Sequence, residues 1–229
     1  MKETQEFYDE FMNVQLHAGL HERHCLMHLK LYKLGLQEDS NLLEIGAGVG
    51  MITSQLIKTV KTGTIVVNDI SPEQIAKNKH LNKAANLKFH VGDIFDLDEN
   101  MKFDYITLFD VLEHIPIEQH DELFKMMTSL LSENGMIVIN IPNPGYLEYM
   151  IEHEPESLQI IDQPLPADGI LKHAYTHGLV LEQFENLTIW QKKDYQFFAF
   201  TLKKEWKPIN VKNKHNIFTR IQNRLNFRK

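Results

Sequence analysis

A glycine-rich turn after the first apolar run is the clearest candidate ligand site in the chain. Residues 43–50 read LEIGAGVG, and a helical pattern follows over residues 51–60. Glycines permit a tight turn and a close approach of backbone to ligand, and a helix start presents unpaired N–H groups. The glycines are spaced G-x-G-x-G, and Met51 stands where the dinucleotide-binding pattern G-x-G-x-x-G needs its third glycine. The turn therefore predicts a nucleotide-like ligand and disfavours NAD.

Acidic side chains accompany four apolar runs that have the pattern of strands. Glu44 lies in the first run, and Asp69, Asp93 and Asp110 stand at the ends of the second, third and fourth runs. In a doubly wound sheet the carboxyl ends of the parallel strands open into one crevice, and an acid about 20 residues beyond the glycines can bind ribose hydroxyls there. We therefore predict that the four carboxylates converge and that Asp69 is the ribose ligand.

The segment from Asp110 to His114 carries the candidates for acid–base chemistry. If a helical turn begins at Asp110, then Asp110, Glu113 and His114 share one face at spacing i, i+3 and i+4. An imidazole titrates near neutral pH, which suits a general base. We predict Asp110 and His114 as catalytic residues. The alternative, in which Glu113 and His114 only hold the loop before Pro116, stays open.

Six further histidines form two sets at helical spacing. The first set, spaced 4, 3 and 4, predicts a solvated or partly buried helix face, with metal binding or lining of the pocket as alternatives. The second set follows the acidic, proline-containing segment 162–168, where acceptor binding is the alternative to a plain surface position. The sets are His17, His21, His24 and His28, and His173 and His177.

The elements that must position these side chains alternate between short apolar runs and helical patterns. This alternation is typical of βαβ units and a parallel sheet. Ser71 is suited to cap the helix that begins at Pro72, and Gly63 and Gly135 are predicted to end helices in the left-handed conformation. The strand-like runs are Leu42–Ile45, Thr64–Asn68, Leu87–Val91, Tyr105–Phe109 and Met136–Ile141.

The pattern changes after the fifth run. A short helix over 169–177, closed by Gly178, precedes two strand-like runs over 180–190 and 195–203, which predict an antiparallel hairpin. We expect three regions: a helical N-terminal cap over 1–38, a central domain over 39–207 and a basic tail over 208–229.

Five ordered motifs resemble those of class I S-adenosylmethionine-dependent methyltransferases over about residues 40–142. They read LLEIGAGVG, VVNDIS, HVGDIFDL, FDYITLFDVLEHIP and NGMIVINIPNP. The resemblance implies a Rossmann-like α/β fold, with a seven-stranded, mostly parallel sheet, an antiparallel last strand and helices on both faces. It also implies S-adenosylmethionine as the cofactor.

The same resemblance assigns roles to individual residues. Gly46 and Gly48 face the methionine part of the cofactor, Asp69 the ribose, and Asp93 the adenine. The N-terminal Tyr8 is similar to an element with which many small-molecule members cover the cofactor. The cofactor-binding set implied is Tyr8, Glu44, Gly46, Gly48, Asp69, Ile70, Asp93, Ile94 and Phe109.

The reaction expected is methyl transfer to a hydroxyl of a small-molecule acceptor, with a sugar or glycan favoured by general resemblance. A quinone or phenol O-methyltransferase and an N-methyltransferase are alternatives, and a non-catalytic S-adenosylmethionine-binding partner protein is an alternative of another class. Similarity of the segment 110–114 to ubiquinone-biosynthesis O-methyltransferases implies a divalent metal as an option, but we predict none. The N-P-P-Y pattern of enzymes that methylate bases is missing.

Charge separates the body of the chain from its tail. Residues 203–229 hold nine basic residues and one acid, which leaves fifteen basic against thirty acidic residues in 1–202. The acidic body argues against nucleic acid as a partner. Residues 216–229 have the pattern of a basic amphipathic helix, which predicts contact with a membrane surface or an acidic partner. No leader or membrane-spanning pattern is present, so we expect a cytoplasmic protein, and we expect Cys25 to be buried.

Overall fold

The computed structural model describes residues 16–98 and 100–205. The predictions for Tyr8 and for the tail over 208–229 lie outside these residues. The domain predicted over 39–207 is described as far as residue 205. Among the helices within this range, none is long and apolar enough to cross a membrane.

Seven strands form one sheet in the order β3-β2-β1-β4-β5-β7-β6. Neighbours from β3 to β5 pair in parallel, whereas β7 pairs antiparallel to both β5 and β6. The predicted fold is confirmed, including the antiparallel last strand. The strands are β1 Leu42–Ile45, β2 Ile65–Asp69, β3 Leu87–Val91, β4 Phe103–Phe109, β5 Leu131–Pro142, β6 Leu179–Leu187 and β7 Tyr195–Leu202.

Six α-helices lie wholly within the described residues and surround the sheet, and four short 3-10 turns lie in three of the connections there. The helices are α1 Glu22–Lys33, α2 Thr53–Thr59, α3 Pro72–Leu81, α4 His120–Leu130, α5 Pro144–His153 and α6 Ala167–Thr176. The 3-10 turns are Ile94–Asp96, Leu112–His114, Ile117–Gln119 and Pro155–Ser157.

Two apolar clusters form the core, one on each face of the sheet. Successive strand residues point to opposite faces, so Leu42 and Leu43 belong to different clusters. Helices α4 and α6 cover one face through residues such as Phe124, and α1 and α2 cover the other through residues such as Leu31. Buried strands with apolar residues on both faces explain why the runs read as nearly continuous apolar segments.

The predicted start of α3 and end of α6 are confirmed. The Ser71 side chain accepts a hydrogen bond from the Gln74 backbone N–H at 3.1 Å, and Pro72 occupies the first turn. Gly178 follows α6 with φ of 78°, which is the left-handed conformation expected of a terminating glycine.

Two glycines and the cysteine differ from their predictions. Gly63 and Gly135 are not in the left-handed region. Close backbone approach accounts for both, because an added Cβ would lie 2.0 Å from the Ser40 carbonyl oxygen at Gly63 and 2.7 Å from that of Phe103 at Gly135. Cys25 is exposed, since the buried face of α1 carries residues 24, 27 and 31.

Candidate functional site

The glycine turn connects β1 to α2 at the carboxyl edge of the sheet. Gly46, Gly48 and Gly50 have φ values of 65°, 55° and 90°, which side chains with a Cβ rarely adopt. An added Cβ at Gly46 would also lie 2.4 Å from Cγ2 of Val111, in the loop after β4. The turn can therefore keep this shape only if residue 46 is a glycine.

Asp69 fixes the turn from the neighbouring strand. Its Oδ2 accepts a hydrogen bond from the Gly48 backbone N–H at 2.7 Å, and its Oδ1 accepts one from the Ser71 N–H at 2.9 Å. The carboxylate thus stands at the end of β2 between the glycine turn and the start of α3. Ile70 follows it and is half-buried.

Asp93 and Ile94 lie beyond the end of β3, the strand next to β2. Oδ1 of Asp93 accepts a hydrogen bond from the Phe95 backbone N–H at 3.2 Å, so it caps the 3-10 turn that follows. Ile94 is buried. Glu44, Asp69, Asp93 and Asp110 are therefore all placed along the carboxyl edge of the sheet, as the topology requires.

Glu44 is the most deeply buried of these acids. Its Oε2 accepts a hydrogen bond from the Thr53 hydroxyl at 2.7 Å. Burial raises the pKa of Glu44 to about 8, against the lowering effect of the hydrogen bonds from Thr53. Burial therefore favours the protonated carboxyl group at neutral pH.

A cavity of about 250 Å³ opens between β1 and β4, at the point where the strand order reverses. Four predicted residues line it, whereas Gly48, Asp69 and Asp93 are not among its lining residues in the part of the chain that the structure covers. The lining residues that the sequence analysis predicted are Glu44, Gly46, Phe109 and Asp110.

The cavity is also lined by residues for which the sequence predicted no role or only an alternative one. Arg23 and His24 come from the first turn of α1, His21 immediately precedes it, and Gln159 belongs to the loop after the turn 155–157. Of these residues, the sequence indicated only His21 and His24, because lining of the pocket was an alternative for the first histidine set.

Arg23 links α1 to the strands beneath it. Its guanidinium forms an ion pair with Asp110 and donates a hydrogen bond to the Tyr195 hydroxyl at 3.1 Å. The same group lies 5.7 Å from the ring centroids of both Trp190 and Tyr195. The contacts of Arg23 therefore hold the start of α1 over β4 and β7.

His114 is placed outside the lining of this cavity. Its Nδ1 donates a hydrogen bond to the Ile161 carbonyl oxygen at 2.6 Å and lies 3.3 Å from Oδ1 of Asp162. Its Nε2 lies 3.9 Å from Oε1 of the buried Glu113. Burial lowers the pKa of His114, and Asp162 partly opposes this effect.

The expected shared face of Asp110, Glu113 and His114 does not form. Asp110 has φ of 53°, and the 3-10 turn begins only at Leu112. A left-handed residue cannot continue a right-handed turn, so Asp110 lies in the cavity wall while His114 lies against the loop that contains Asp162. The catalytic roles of Asp110 and His114 stay predictions.

The two histidine sets occupy different environments. The rings of His21 and His24 lie side by side at the cavity with centroids 3.9 Å apart, whereas His28 hydrogen-bonds with the Thr59 hydroxyl at 2.8 Å. His173 and His177 both contact Oδ1 of Asp121, at 3.5 and 3.0 Å. Within residues 16–98 and 100–205, no group of three or more His, Cys, Asp or Glu side chains could hold a metal ion.

Comparison with known proteins matches this chain to a family. The model of a methyltransferase domain family matches residues 36–209. A malonyl-[acyl-carrier protein] O-methyltransferase of Ilyobacter polytropus is 30% identical over 161 residues, which make up 69% of this chain and 54% of that protein. A ubiquinone biosynthesis O-methyltransferase of Coxiella burnetii is 27% identical over 111 residues, or 48% of this chain and 47% of that protein. The chain thus spans about half the length of these curated relatives.

Solved structures share the fold at low sequence identity. A magnesium protoporphyrin IX methyltransferase of Synechocystis, determined with bound S-adenosylhomocysteine (SAH), has a TM-score of 0.65 and 15% identity to this chain. The match covers 80% of this chain and 82% of that structure.

Proposed function

This chain belongs to the methyltransferase domain family, and from that premise we propose that it transfers a methyl group from S-adenosylmethionine to a hydroxyl of a small molecule. The observation that carries the proposal is the cavity at the reversal of strand order, which both Gly46 and Asp110 line. In open α/β sheets a ligand binds at this switch point, outside the carboxyl ends of the strands.

The residues present fit S-adenosylmethionine. Three left-handed glycines leave the backbone at the turn open to a ligand, and a Cβ at Gly46 has no room. Asp69 stands at the end of β2, where a carboxylate can accept hydrogen bonds from ribose hydroxyls. Asp110 in the cavity wall is placed to face a cationic group, and it already pairs with Arg23.

Alignment is the main contribution expected of the protein to the reaction. The bound cofactor supplies a methyl group already activated on a sulfonium. Holding two reactants in line can be worth about 7 to 11 kcal/mol of the barrier. The turn at Gly46, Asp110 and Arg23 all line the cavity, so the turn can hold the donor and the part of the cavity beside Arg23 can hold the acceptor.

A hydroxyl acceptor agrees with the charge of the cavity. Arg23 and Asp110 neutralise each other, and burial favours the protonated form of Glu44 at neutral pH. The described walls therefore carry little net charge, which suits a neutral acceptor better than an anionic one. Within this class we keep a sugar or glycan as the expected acceptor, with a quinone or phenol as the second choice.

The test is release of SAH over a panel of neutral sugars, phenols, amines and carboxylates. We expect turnover with a hydroxyl compound. Turnover only with amines or carboxylates would contradict the acceptor class, and cofactor binding without turnover on any acceptor would favour a non-catalytic binding protein.

A cofactor-site variant connects this activity with the proposed site. Asp69→Ala removes the expected ribose contacts, each a charge-assisted hydrogen bond worth about 1.5 to 3 kcal/mol. Calorimetry should therefore show SAH affinity reduced by at least about tenfold. The exposed Asp168, at the start of α6, provides the control variant Asp168→Ala, which should bind normally. Unchanged affinity in Asp69→Ala would refute the site.

A further inference from the structure

Helix α3 contacts the glycine turn through two buried asparagines. Asn78 lies in the last turn of α3 and Asn82 follows the helix directly, and both lie outside the lining of the cavity. Nδ2 of Asn82 donates a hydrogen bond to the Gly50 carbonyl oxygen at 2.9 Å, and Nδ2 of Asn78 donates one to the Gly48 carbonyl oxygen at 3.4 Å. Two carbonyl groups of the turn are thus held by side chains from another element.

The two asparagines belong to a chain of hydrogen bonds that ends at the cavity. Nδ2 of Asn82 also donates to Oδ1 of Asn78 at 2.9 Å, and Nδ2 of Asn78 donates to the Thr53 hydroxyl at 3.1 Å. That hydroxyl donates in turn to Oε2 of Glu44, which lines the cavity. All four side chains are buried, so each holds the next between the end of α3 and β1.

Glycine at position 50 makes the contact with both amides possible. An added Cβ at Gly50 would lie 2.3 Å from Oδ1 of Asn78 and 2.4 Å from Nδ2 of Asn82. Gly50 also has φ of 90°, which residues with a Cβ rarely adopt. The last glycine of the turn therefore leaves room for side chains of α3.

Contacts of this kind bear on how tightly the turn can bind a ligand. Glycines reach many conformations at similar energy, so a turn that contains three of them keeps one shape only where its surroundings select that shape. The apparent affinity for a ligand falls in proportion to the fraction of molecules in the binding shape. Buried hydrogen bonds that favour this shape consequently raise the affinity without any contact with the ligand.

We propose that Asn78 and Asn82 are positioning residues for S-adenosylmethionine, a role that rests on the proposed function because that function requires the cofactor at this turn. The two asparagines hold the carbonyl groups of Gly48 and Gly50, and so keep the turn in the shape that binds the cofactor. Thr53 orients Asn78 by accepting its hydrogen bond.

The experiment measures the SAH affinity of Asn78→Ala and Asn82→Ala by calorimetry. We expect Kd to rise about tenfold in each variant, because a lost buried hydrogen bond leaves its partner unsatisfied. The matched control is Asn86→Ala at the amino-terminal edge of the sheet, where Nδ2 of Asn86 donates to the carbonyl oxygens of Gly63 at 2.8 Å and Val60 at 3.3 Å. This control should bind SAH with the wild-type affinity.

Steady-state constants separate a positioning role from a general loss of structure. With the acceptor found in the panel, KM for S-adenosylmethionine should rise in Asn82→Ala by about the same factor as Kd. The kcat at saturating cofactor and KM for the acceptor should stay near their wild-type values, because the bound cofactor selects the same shape of the turn.

Substitutions of Thr53 test the link between Asn78 and Glu44. Thr53→Val keeps the shape of the side chain without its hydroxyl and should weaken SAH binding, whereas Thr53→Ser keeps the hydroxyl and should restore it. Thr53→Val combined with Asn78→Ala should weaken binding less than the two separate effects added together, because both remove the same hydrogen bond. Thermal unfolding checks each variant, and if Asn78→Ala does not fold, Asn82→Ala and the Thr53 variants carry the test.

Three results would overturn the proposal. The first is a folded Asn82→Ala variant that binds SAH as tightly as the wild type. The second is an equal loss of affinity in Asn86→Ala, because lower stability alone would then explain the effect. The third is a fall in kcat with an unchanged KM for S-adenosylmethionine. The proposed function fails separately, if the wild type itself releases no SAH with any hydroxyl acceptor.

Discussion

Buried acids at the edge of the sheet hold protons that the same residues lose in an unfolded chain. Glu113 is 1% exposed, and its Oε2 has no hydrogen-bond partner among the described residues. Burial raises the pKa of Glu113 to about 8, with a further raising effect from Asp162 and an opposing one from Arg23. Sequence alone indicates an acid at this position, but the protonation state depends on tertiary burial and could not be predicted.

This shift predicts a pH-dependent stability. Between pH 4.5 and about 8 the folded state keeps the proton on Glu113 while the unfolded state loses it, so the contribution of this group to stability falls as pH rises. Glu113→Gln mimics the protonated form and removes this loss. Chemical denaturation should therefore show the variant gaining in stability relative to the wild type from pH 5.5 to pH 7.5.

The control for this experiment is Glu133→Gln, which changes an exposed acid at the start of β5. Its free energy of unfolding should follow that of the wild type across the same pH range. A constant difference between Glu113→Gln and the wild type at all pH values would show that Glu113 ionises normally in the folded protein.

At the scale of elements, local signals in the sequence predicted the sheet well. The runs at β1 and β3 have the predicted bounds, and the cap at Ser71 is where the pattern placed it. Apolar runs and caps depend on near neighbours in the chain, so the sequence displays them directly. Fold resemblance supplied the antiparallel direction of the last strand, whereas its position between β5 and β6 is seen only in the fold, because no local pattern fixes the order of strands.

The glycines and the cavity wall show where local patterns fail. Gly63 and Gly135 each follow a helical stretch, but they are needed where two backbones nearly touch, which sequence spacing cannot distinguish from a left-handed turn. Arg23 contacts Asp110 and Tyr195, which lie 87 and 172 residues further along the chain. Only the folded packing of α1 over β4 and β7 reveals that contact.

The turn after β1 gives a prediction at this scale. Gly46→Ala combines a φ of 65° with a Cβ that meets Val111, so it should lower stability and weaken SAH binding by at least about tenfold. Gly178→Ala is the control for backbone strain alone, because Gly178 has φ of 78° but nothing lies within 4 Å of the added Cβ. It should lose stability and bind SAH normally.

A second substitution separates the clash from the backbone strain. Val111→Ala removes the two methyl groups that the new Cβ would meet, so the pair Gly46→Ala with Val111→Ala should be more stable than Gly46→Ala alone. Differential scanning fluorimetry and calorimetry with SAH measure both quantities. Normal SAH affinity in Gly46→Ala would contradict the assignment of this turn to the cofactor.

At the scale of the whole molecule, charge is distributed unevenly along the chain. The fifteen basic and thirty acidic residues of 1–202 give an acidic body, and the nine basic residues of 203–229 give a basic tail. Opposite charges on two parts of one chain favour their association, and salt weakens it. The basic residues Arg220, Arg224 and Arg228 repeat every four positions beside an apolar series that includes Phe218 and Leu225.

We propose that the segment 216–229 docks on the acidic body of the protein, with a membrane surface as the competing partner. Fourteen residues present little apolar area, which disfavours stable insertion into a lipid interface, although each basic residue near an anionic surface can contribute about 1 kcal/mol.

Removal of residues 208–229 should therefore lower the melting temperature at low salt, and the difference from the full chain should shrink at high salt as screening weakens the contact. Co-sedimentation with anionic vesicles, at low and high salt, measures the competing partner. Salt-sensitive sedimentation of the full chain alone, with equal melting temperatures for the two forms, would replace docking on the body by peripheral membrane contact.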